Sequence, residues 1–140
     1  MNAFATVEEF LHAFFTFDMA RLDALMADDF EFYNVPMPNV VIRGRDEMRA
    51  LIANHGGFPE PIEPGSGGHE PRAHAVNGDL VLFERVDYWR IRGVSMRLPI
   101  CSVWRVSNGK VHLWRDYFDI SDLIRQMDRV GLRFDTSTWF

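Results

Sequence analysis

The chain has 140 residues, 47% of them hydrophobic and 14% aromatic, and a formal net charge of −5 at pH 7. This length and composition predict a single globular domain over residues 1–140, and the acidic balance argues against nucleic acid or an anionic membrane as a partner. Cys101 is the only cysteine, no apolar run approaches the roughly 20 residues of a membrane span, and the N-terminus lacks the basic segment of a secretory signal. A cytoplasmic protein without disulfides is therefore expected.

The first part of the chain predicts two helices. Thr6 followed by Glu9 forms a capping box ahead of apolar residues at helical spacing, which predicts a helix from about Val7 to Phe17. Asp18 is placed to cap a second helix, which is expected to end at the two aspartates at positions 28–29. Both helices have an apolar side that requires a partner in the core.

A short strand, a third helix and a long loop are predicted next. Residues 30–35 alternate, so Phe32 and Asn34 share one face of the strand and Tyr33 lies on the other. The third helix follows Gly44. Residues 56–71 contain nine glycines and prolines. They indicate a loop at the mouth of a pocket, a mobile lid, or a surface excursion without a role.

The second part of the chain predicts strands. Asn77-Gly78 and Asn108-Gly109 are turn signals between alternating segments, and they predict three long antiparallel strands. A last helix is predicted from about Ser121 to Val130. Its inward residues are expected to be Leu123, Ile124 and Met127. Helices followed by a meander of strands imply an α+β fold, in which a curved mixed or antiparallel sheet wraps around the N-terminal helices.

Two aspartates on the inner faces of strands are the main functional signal. Alternation in residues 80–91 places Arg85 and Asp87 on an otherwise apolar face. Alternation in the last strand places Asp116 between Trp114 and Phe118. An unpaired buried carboxylate costs several kcal/mol, roughly, so such a group needs a partner or a use. Arg85 is expected to pair with both carboxylates.

The inner faces of these strands are expected to line one apolar cavity with few polar groups, which is the composition of a small-molecule site. The polar residues expected there are Asn34, Arg85, Asp87 and Asp116. The apolar residues expected to bind a bulky substrate are Phe32, Phe83, Trp89, Leu98, Ile100, Trp114, Phe118 and Leu123. No metal site is expected from His69 and His74, because Pro71 between them prevents a regular helix.

Four stretches of the sequence resemble limonene-1,2-epoxide hydrolases, a branch of the nuclear-transport-factor-like and SnoaL-like cone fold. They are Asn34-Val35-Pro36-Met37-Pro38, Gly44-Arg45-Asp46, Glu84-Arg85-Val86-Asp87 and Trp114-Arg115-Asp116-Tyr117-Phe118-Asp119. The resemblance runs from Phe30 to about Leu123 and is weakest between residues 56 and 71. It implies the cone-shaped fold and a homodimeric epoxide hydrolase that gives a vicinal diol from an apolar epoxide.

The resemblance also implies roles for individual residues. Asp116 is implied to be the base that activates water, and Asn34 to hold that water. Asp87 is implied to be the acid, and Arg85 to bridge the two carboxylates. No metal or organic cofactor is then required. The family places a tyrosine where this chain has Phe32, so one partner of the water is missing.

Three other interpretations stay open at this point. Arg85 and Asp87 could form a structural ion pair. The chain could be a proton-transfer enzyme of the ketosteroid isomerase or polyketide cyclase kind, which the aromatic pocket and the missing tyrosine favour. Such an enzyme, however, needs one base rather than two carboxylates on one guanidinium. The chain could also be a non-catalytic binder of an apolar ligand, since fold alone does not choose among these classes.

Overall fold

The structure is a computed structural model that describes residues 2–37 and 40–133. This part of the chain contains four helices and six strands. The helices are α1 (Ala3–Phe15), α2 (Met19–Leu25), α3 (Gly44–Ala53) and α4 (Ile120–Asp128). The strands are β1 (Met26–Asn34), β2 (Val41–Arg43), β3 (Gly68–Asn77), β4 (Leu80–Ile91), β5 (Val94–Ser107) and β6 (Lys110–Phe118). A short 3₁₀ turn at His55–Gly57 follows α3.

The strands form one mixed sheet in the order β2-β1-β6-β5-β4-β3. β1 runs parallel to β6 and antiparallel to β2, whereas β3 to β6 form an antiparallel meander. The parallel pairing places the first strand beside the last one, so residues that are distant in the sequence meet near the middle of the sheet. The predicted α+β class, with N-terminal helices and a mixed sheet, is confirmed.

The core lies between α1 and the inner face of the sheet. The ring of Phe10 lies 5.9 Å from Trp104 and 5.6 Å from Trp114, and the ring of Phe14 lies 5.3 Å from Trp114. All of these side chains are buried, and burying one phenylalanine stabilises a fold by roughly 1.5–3 kcal/mol. These contacts anchor α1 to the strands that carry the polar residues.

The start of α1 differs from the prediction. The helix begins at Ala3, because Asn2 rather than Thr6 is its cap: the Asn2 side chain accepts a hydrogen bond from the Ala5 N–H at 2.7 Å. Thr6 is buried inside the helix, and its hydroxyl donates to the carbonyl oxygen of Asn2. The helix also ends before Phe17, whose positive φ of 54° is incompatible with a continuing helix.

The other helices agree with the prediction in part. Asp18 caps α2 as predicted, by accepting an N–H of the first turn at 3.0 Å. The prediction that residues 28–29 end this helix is wrong, because β1 begins at Met26 and both aspartates are exposed positions of that strand. In α4, Ile124 is 39% exposed rather than inward. The buried residues of α4 are Leu123, Gln126 and Met127.

The sheet has more strands than the sequence predicted. The three-residue strand β2 is too short for an alternation signal. β3 begins at Gly68, inside the predicted loop, and contains Pro71. This proline is tolerated because β3 is an edge strand whose register shifts between Pro71 and Ala73. A further turn at Arg92-Gly93, where both residues have positive φ, joins β4 to β5, so there are four antiparallel strands rather than three.

Candidate active site

Arg85 is completely buried in β4 and holds two carboxylates at once. Its Nε donates to Asp87 Oδ1 at 2.8 Å, and its Nη2 donates to Asp87 Oδ2 at 3.1 Å. Its Nη1 donates to Asp116 Oδ1 at 3.1 Å, while Nη2 also donates to Asp116 Oδ2 at 3.0 Å. Both pairs are therefore bidentate, and the hydrogen bonds expected between Arg85 and the two aspartates are present.

The strand order explains why these three groups meet. β5 lies between β4 and β6 in the sheet, and its Ser102 is paired with Asp116 on one side and with Phe83 on the other. The Ser102 hydroxyl accepts from Arg85 Nη1 at 3.0 Å and donates to the Phe83 carbonyl oxygen at 2.9 Å. Sequence reasoning missed Ser102. The signal was available, because Ser102 is the polar exception in the inward series of β5 that also contains Leu98 and Ile100.

Burial and charge have opposite effects on the carboxyl of Asp87. Burial raises its pKa to about 6, although the positive charge and hydrogen bonds of Arg85 favour the ionised form. The nearby charge of Asp116 raises this pKa further. The pKa of Arg85 is raised by the two carboxylates despite its burial, so the guanidinium stays positive. Asp87 can therefore hold a proton in slightly acidic solution while Arg85 remains charged.

Asp116 receives another hydrogen bond from its own strand. Trp114 Nε1 donates to Asp116 Oδ1 at 2.6 Å, so this oxygen accepts from both the indole and Arg85. The indole is held in a stack: its ring lies 3.8 Å from Phe32 at 9° on one side and 4.9 Å from Trp104 at 10° on the other. Sequence reasoning treated Trp114 as a pocket wall only. Asp116 Oδ2, in contrast, accepts from Arg85 Nη2 and is left with more capacity for a further donor.

Asn34 reaches the same place from β1. In the parallel pairing of β1 with β6, Asn34 is the register partner of Asp116, and the Val35 N–H donates to the Asp116 carbonyl oxygen at 3.0 Å. Asn34 is 6% exposed and lines the same pocket as Asp87 and Asp116. The amide is thus beside the carboxylate that the sequence analysis paired with it.

The pocket has an almost wholly apolar wall. Of the residues predicted for it, those that line it are Phe32, Asn34, Asp87, Trp89, Leu98, Ile100, Trp114, Asp116, Phe118 and Leu123. Lining residues that the sequence analysis did not name as substrate contacts are Phe14, Phe15, Met37, Gly56, Gly57 and Phe58. Arg85 lies behind the two carboxylates and does not line the pocket. The start of the predicted loop, at residues 56–58, therefore lies at the pocket.

Phe83 was predicted to line this pocket, and that prediction is wrong. The side chain is completely buried, and its ring lies 4.9 Å from Phe4 of α1 and 5.8 Å from His69 of β3, both edge-on. The inner face of β4 is divided, because α1 covers its first half and leaves the pocket to the second half. Alternation identified the face correctly but could not show where along the strand the helix lies.

The sequence predicted no metal site from the two histidines of β3, His69 and His74. His69 Nε2 lies 3.3 Å from Glu8 Oε2, whereas His74 stacks on Phe4 at 3.6 Å. Within residues 2–37 and 40–133, no group of three or more His, Cys, Asp or Glu side chains could hold a metal ion. The described residues therefore place two carboxylates and an amide in the wall of the pocket, with an arginine behind the carboxylates.

Comparisons with known proteins identify the family. Residues 1–129 match the limonene-1,2-epoxide hydrolase catalytic domain. Epoxide hydrolase EphG of Mycobacterium tuberculosis (strain ATCC 25618 / H37Rv) is 32% identical over 125 residues, which cover 88% of this chain and 77% of that protein. The chain belongs to the limonene-1,2-epoxide hydrolase family. It is an epoxide hydrolase, as the resemblance of its motifs implied.

Solved structures give the fold of this epoxide hydrolase. An LEH-like epoxide hydrolase of M. tuberculosis has a TM-score of 0.70 and 31% identity, over 91% of this chain and 90% of that one. An NTF2-like protein from Burkholderia pseudomallei K96243 has a TM-score of 0.70 and 24% identity, over 89% and 96%. The predicted nuclear-transport-factor-like fold is confirmed. The family also sets aside the interpretations as an isomerase-like enzyme or a non-catalytic binder.

Proposed function

We propose that this epoxide hydrolase adds water to a bulky apolar epoxide in one step, with Asp116 as the general base and Asp87 as the general acid. The observation that carries the proposal is the buried guanidinium of Arg85, which makes two hydrogen bonds to each carboxylate. One guanidinium shared by two carboxylates holds both at fixed positions on one wall of an apolar pocket. A structural ion pair alone would not need the second carboxylate.

In this proposal the attacking water lies between Asp116 and Asn34. Asp116 Oδ2 takes the proton of the water, because Oδ1 is already occupied by Trp114 and Arg85. The Asn34 amide, at the register position beside Asp116, orients the water toward the ring carbon. A positioned base of this kind typically accelerates a reaction by about 10²- to 10⁴-fold.

Asp87 supplies the proton to the epoxide oxygen. Burial holds its pKa at about 6, so a substantial fraction of the carboxyl carries a proton near that pH. When the ring opens, the Asp87 proton moves to the epoxide oxygen as Asp116 accepts the proton of the water. The net charge of the site is unchanged, and no covalent intermediate, metal or organic cofactor takes part.

The pocket wall favours an apolar ring-containing or aliphatic epoxide. Aromatic side chains surround both carboxylates, and Trp89, Leu98 and Leu123 are buried apolar residues of the same wall. Burying apolar substrate surface contributes roughly 25 cal/mol per Å² before the costs of binding. Polar epoxides of similar size should therefore bind less tightly.

The test of this function is a screen of racemic and meso epoxides for diol formation by the purified protein. The panel should contain cyclic terpene-like, aromatic and long-chain epoxides, with a small polar epoxide as comparison. We expect vicinal diol from at least one bulky apolar epoxide and little from the polar one. The Asp116→Asn protein is the matched control, and diol formed equally by both proteins would refute the assignment of the base.

We further propose that the enzyme has a single domain and is cytoplasmic. We also propose that it forms a homodimer through the outer face of its sheet. Leu82 and Tyr117 are 45% and 41% exposed on that face. Within the described residues, no helix is long and apolar enough to cross a membrane. Three outward arginines form ion pairs with glutamates of the same chain. These pairs are Arg90–Glu63, Arg92–Glu60 and Arg97–Glu70.

Sedimentation velocity tests the dimer. The native protein should sediment as a dimer of a 16.3 kDa chain, and Leu82→Asp should shift it toward monomer because a charge replaces an apolar contact. Val76→Asp, at another exposed apolar residue on the edge strand, is the control. A native protein that is monomeric at micromolar concentration would contradict this part of the proposal.

A further inference from the structure

His69 is a titratable residue beside the site that the proposed mechanism does not use. It lies on β3, directly opposite Asp87 of β4 in the antiparallel pairing. Directly opposite residues of such a pair point to the same face, with Cβ atoms about 4.5–5.5 Å apart. His69 does not line the pocket. His69 therefore lies at the edge of the sheet beside the strand that carries Asp87, and outside the wall of the pocket.

The contacts of His69 lead from this neighbourhood to the surface. Its side chain is 10% exposed, and its Nε2 lies 3.3 Å from Oε2 of Glu8 on α1. The Glu8 side chain is 37% exposed, so its carboxylate is in contact with solvent. The ring of Phe83 packs edge-on against the imidazole at 5.8 Å and helps to hold it in place. His69 thus lies between β4, where Asp87 is its register partner, and the partly exposed carboxylate of Glu8.

The surroundings of His69 favour its neutral form. The charged and titratable groups that act on it are Glu8 and His12 of α1 and Arg85 of β4, and Asp87 is its register partner on β4. Burial and the positive charges of Arg85 and His12 lower the pKa of His69, whereas the hydrogen bond and the charge of Glu8 raise it, and the net effect is a lowered pKa. A neutral imidazole has one donor and one acceptor nitrogen, so it can accept a proton on one side and give one on the other.

The proposed mechanism requires Asp87 to be protonated again after each turnover. Each turnover leaves Asp87 without its proton and Asp116 with one more. Arg85 lies between them, but a guanidinium is not deprotonated in proteins, and the two carboxylates raise its pKa further. The arginine therefore cannot carry the proton from one carboxyl to the other. Asp87 has to regain a proton from the solvent before the next epoxide can be opened, through water in the pocket or through a neighbouring titratable group.

We propose that His69 returns the proton to Asp87 from the solvent, with Glu8 as the entry point. The inference rests on the proposed function, because it assumes that Asp87 is the acid. His69 gives its N–H proton to the Asp87 carboxylate, directly or through one water, and its other nitrogen takes a proton that arrives at Glu8. Asp116 releases its extra proton to water in the pocket. One proton enters at Glu8 and one leaves from Asp116. His69 ends as the neutral Nε2–H tautomer, and proton exchange with water restores the Nδ1–H tautomer before the next turnover.

The test measures diol formation at fixed pH while the concentration of a small buffer acid, imidazolium, is raised. His69→Gln keeps a donor for Glu8 but cannot relay a proton, so its kcat should fall by about 10-fold in dilute buffer. Because Asp87 lines the pocket, imidazolium can reach it there, and kcat of the variant should rise toward the native value. The native kcat should not depend on buffer concentration. KM should change less than kcat in the variant.

Two further variants make the result decisive. Glu8→Gln, a change at a partly exposed helix position, should give a smaller loss of kcat that imidazolium also restores. His74→Gln, on the same strand but away from Asp87, should leave kcat unchanged. A His69→Gln protein that keeps native kcat at every buffer concentration, or that is slow without rescue, would overturn the relay. Absence of diol from the native protein would instead overturn the proposed function, so the two failures are distinct.

Discussion

Two arginines of the same sheet each clamp a carboxylate with two hydrogen bonds, one on the inner face and one on the outer face. Arg85 and Asp87 are buried, whereas the side chains of Arg97 and Glu70 are 50% and 39% exposed. The outer pair is as well formed as the inner one, with N–O distances of 2.9 and 2.7 Å. Hydrogen bonding to Arg97 lowers the pKa of Glu70 to about 2, but burial raises the pKa of Asp87 to about 6.

The contrast shows that desolvation, and not the presence of an arginine, decides whether such a carboxyl can act as an acid. In solvent the ion pair keeps the carboxylate ionised and is screened by water and salt. In the interior the same contact is opposed by the loss of hydration and by a second carboxylate on the same guanidinium. The inner pair can therefore exchange a proton near neutral pH, whereas the outer pair cannot.

The largest expected loss of kcat comes from changing the second carboxylate on Arg85, and the outer ion pair serves as the comparison. Asp116→Asn removes the base but keeps a side chain of the same shape, so kcat should fall by about 10²- to 10⁴-fold. Glu70→Gln, which breaks the outer pair, should leave kcat within about twofold of native. Steady-state kinetics on any accepted epoxide, with thermal unfolding of both variants as a fold control, measures this. Comparable losses in both variants would remove the distinction.

The pH profile tests the raised pKa of the inner carboxyl. The protonated form of Asp87 prevails below a pKa of about 6 and declines as the pH rises. If Asp87 is the acid, kcat/KM should fall about tenfold per pH unit above that value, since the profile reports the free enzyme. A profile that stays flat from pH 5 to pH 8 would show that another group supplies the proton.

A third prediction concerns the indole of Trp114, which donates to Asp116. Trp114→Phe removes the donor to Asp116 Oδ1 while keeping an aromatic ring in the stack. A hydrogen bond to a charged group is worth about 1.5–3 kcal/mol, which corresponds to roughly 10- to 100-fold in kcat. The drop in kcat should exceed any change in KM. If only the thermal stability decreases, the indole is part of the core and does not support the base.

The smallest expected effect concerns the residue that departs from the family. Phe32→Tyr adds a hydroxyl at the pocket, where it can serve as a third partner of the water beside Asn34 and Asp116. A hydrogen bond of this kind is worth about 0.5–1.5 kcal/mol, so kcat should rise on the order of 3- to 10-fold with little change in KM. Unchanged or lower activity would mean that the stack of Phe32 on Trp114 matters more than the added hydroxyl.

The inner pair could be predicted from the sequence because strand alternation is a local rule with a period of two. It placed Arg85 and Asp87 on one face, and Asp116 on the inner face of the last strand, before any pairing was known. The register could not be predicted, since it depends on contacts across strands. The stack beside Trp114 was therefore missed. Ser102, which joins Arg85 to β5, was missed although alternation alone marks it as the polar residue of an inward series.

The errors in the fold also have physical causes. A capping box at Thr6 predicted a helix start that Asn2 provides instead, because Asn2 is also a residue type that caps helices and its side chain accepts the Ala5 N–H. Pro71 made a strand resemble a loop, since edge strands tolerate what central strands do not. Phe83 was assigned to the pocket because alternation gives the face of a strand but not the position of the helix that covers it.

A single turnover in ¹⁸O-labelled water, with enzyme in excess over epoxide, distinguishes direct attack by water from attack by a protein carboxylate. In the one-step mechanism, water activated by Asp116 attacks the ring carbon itself. The diol from the first turnover should therefore carry the label from the solvent. Unlabelled diol in that first turnover, with ¹⁸O appearing only after several cycles, would show that a protein carboxylate attacks first and would contradict the one-step mechanism.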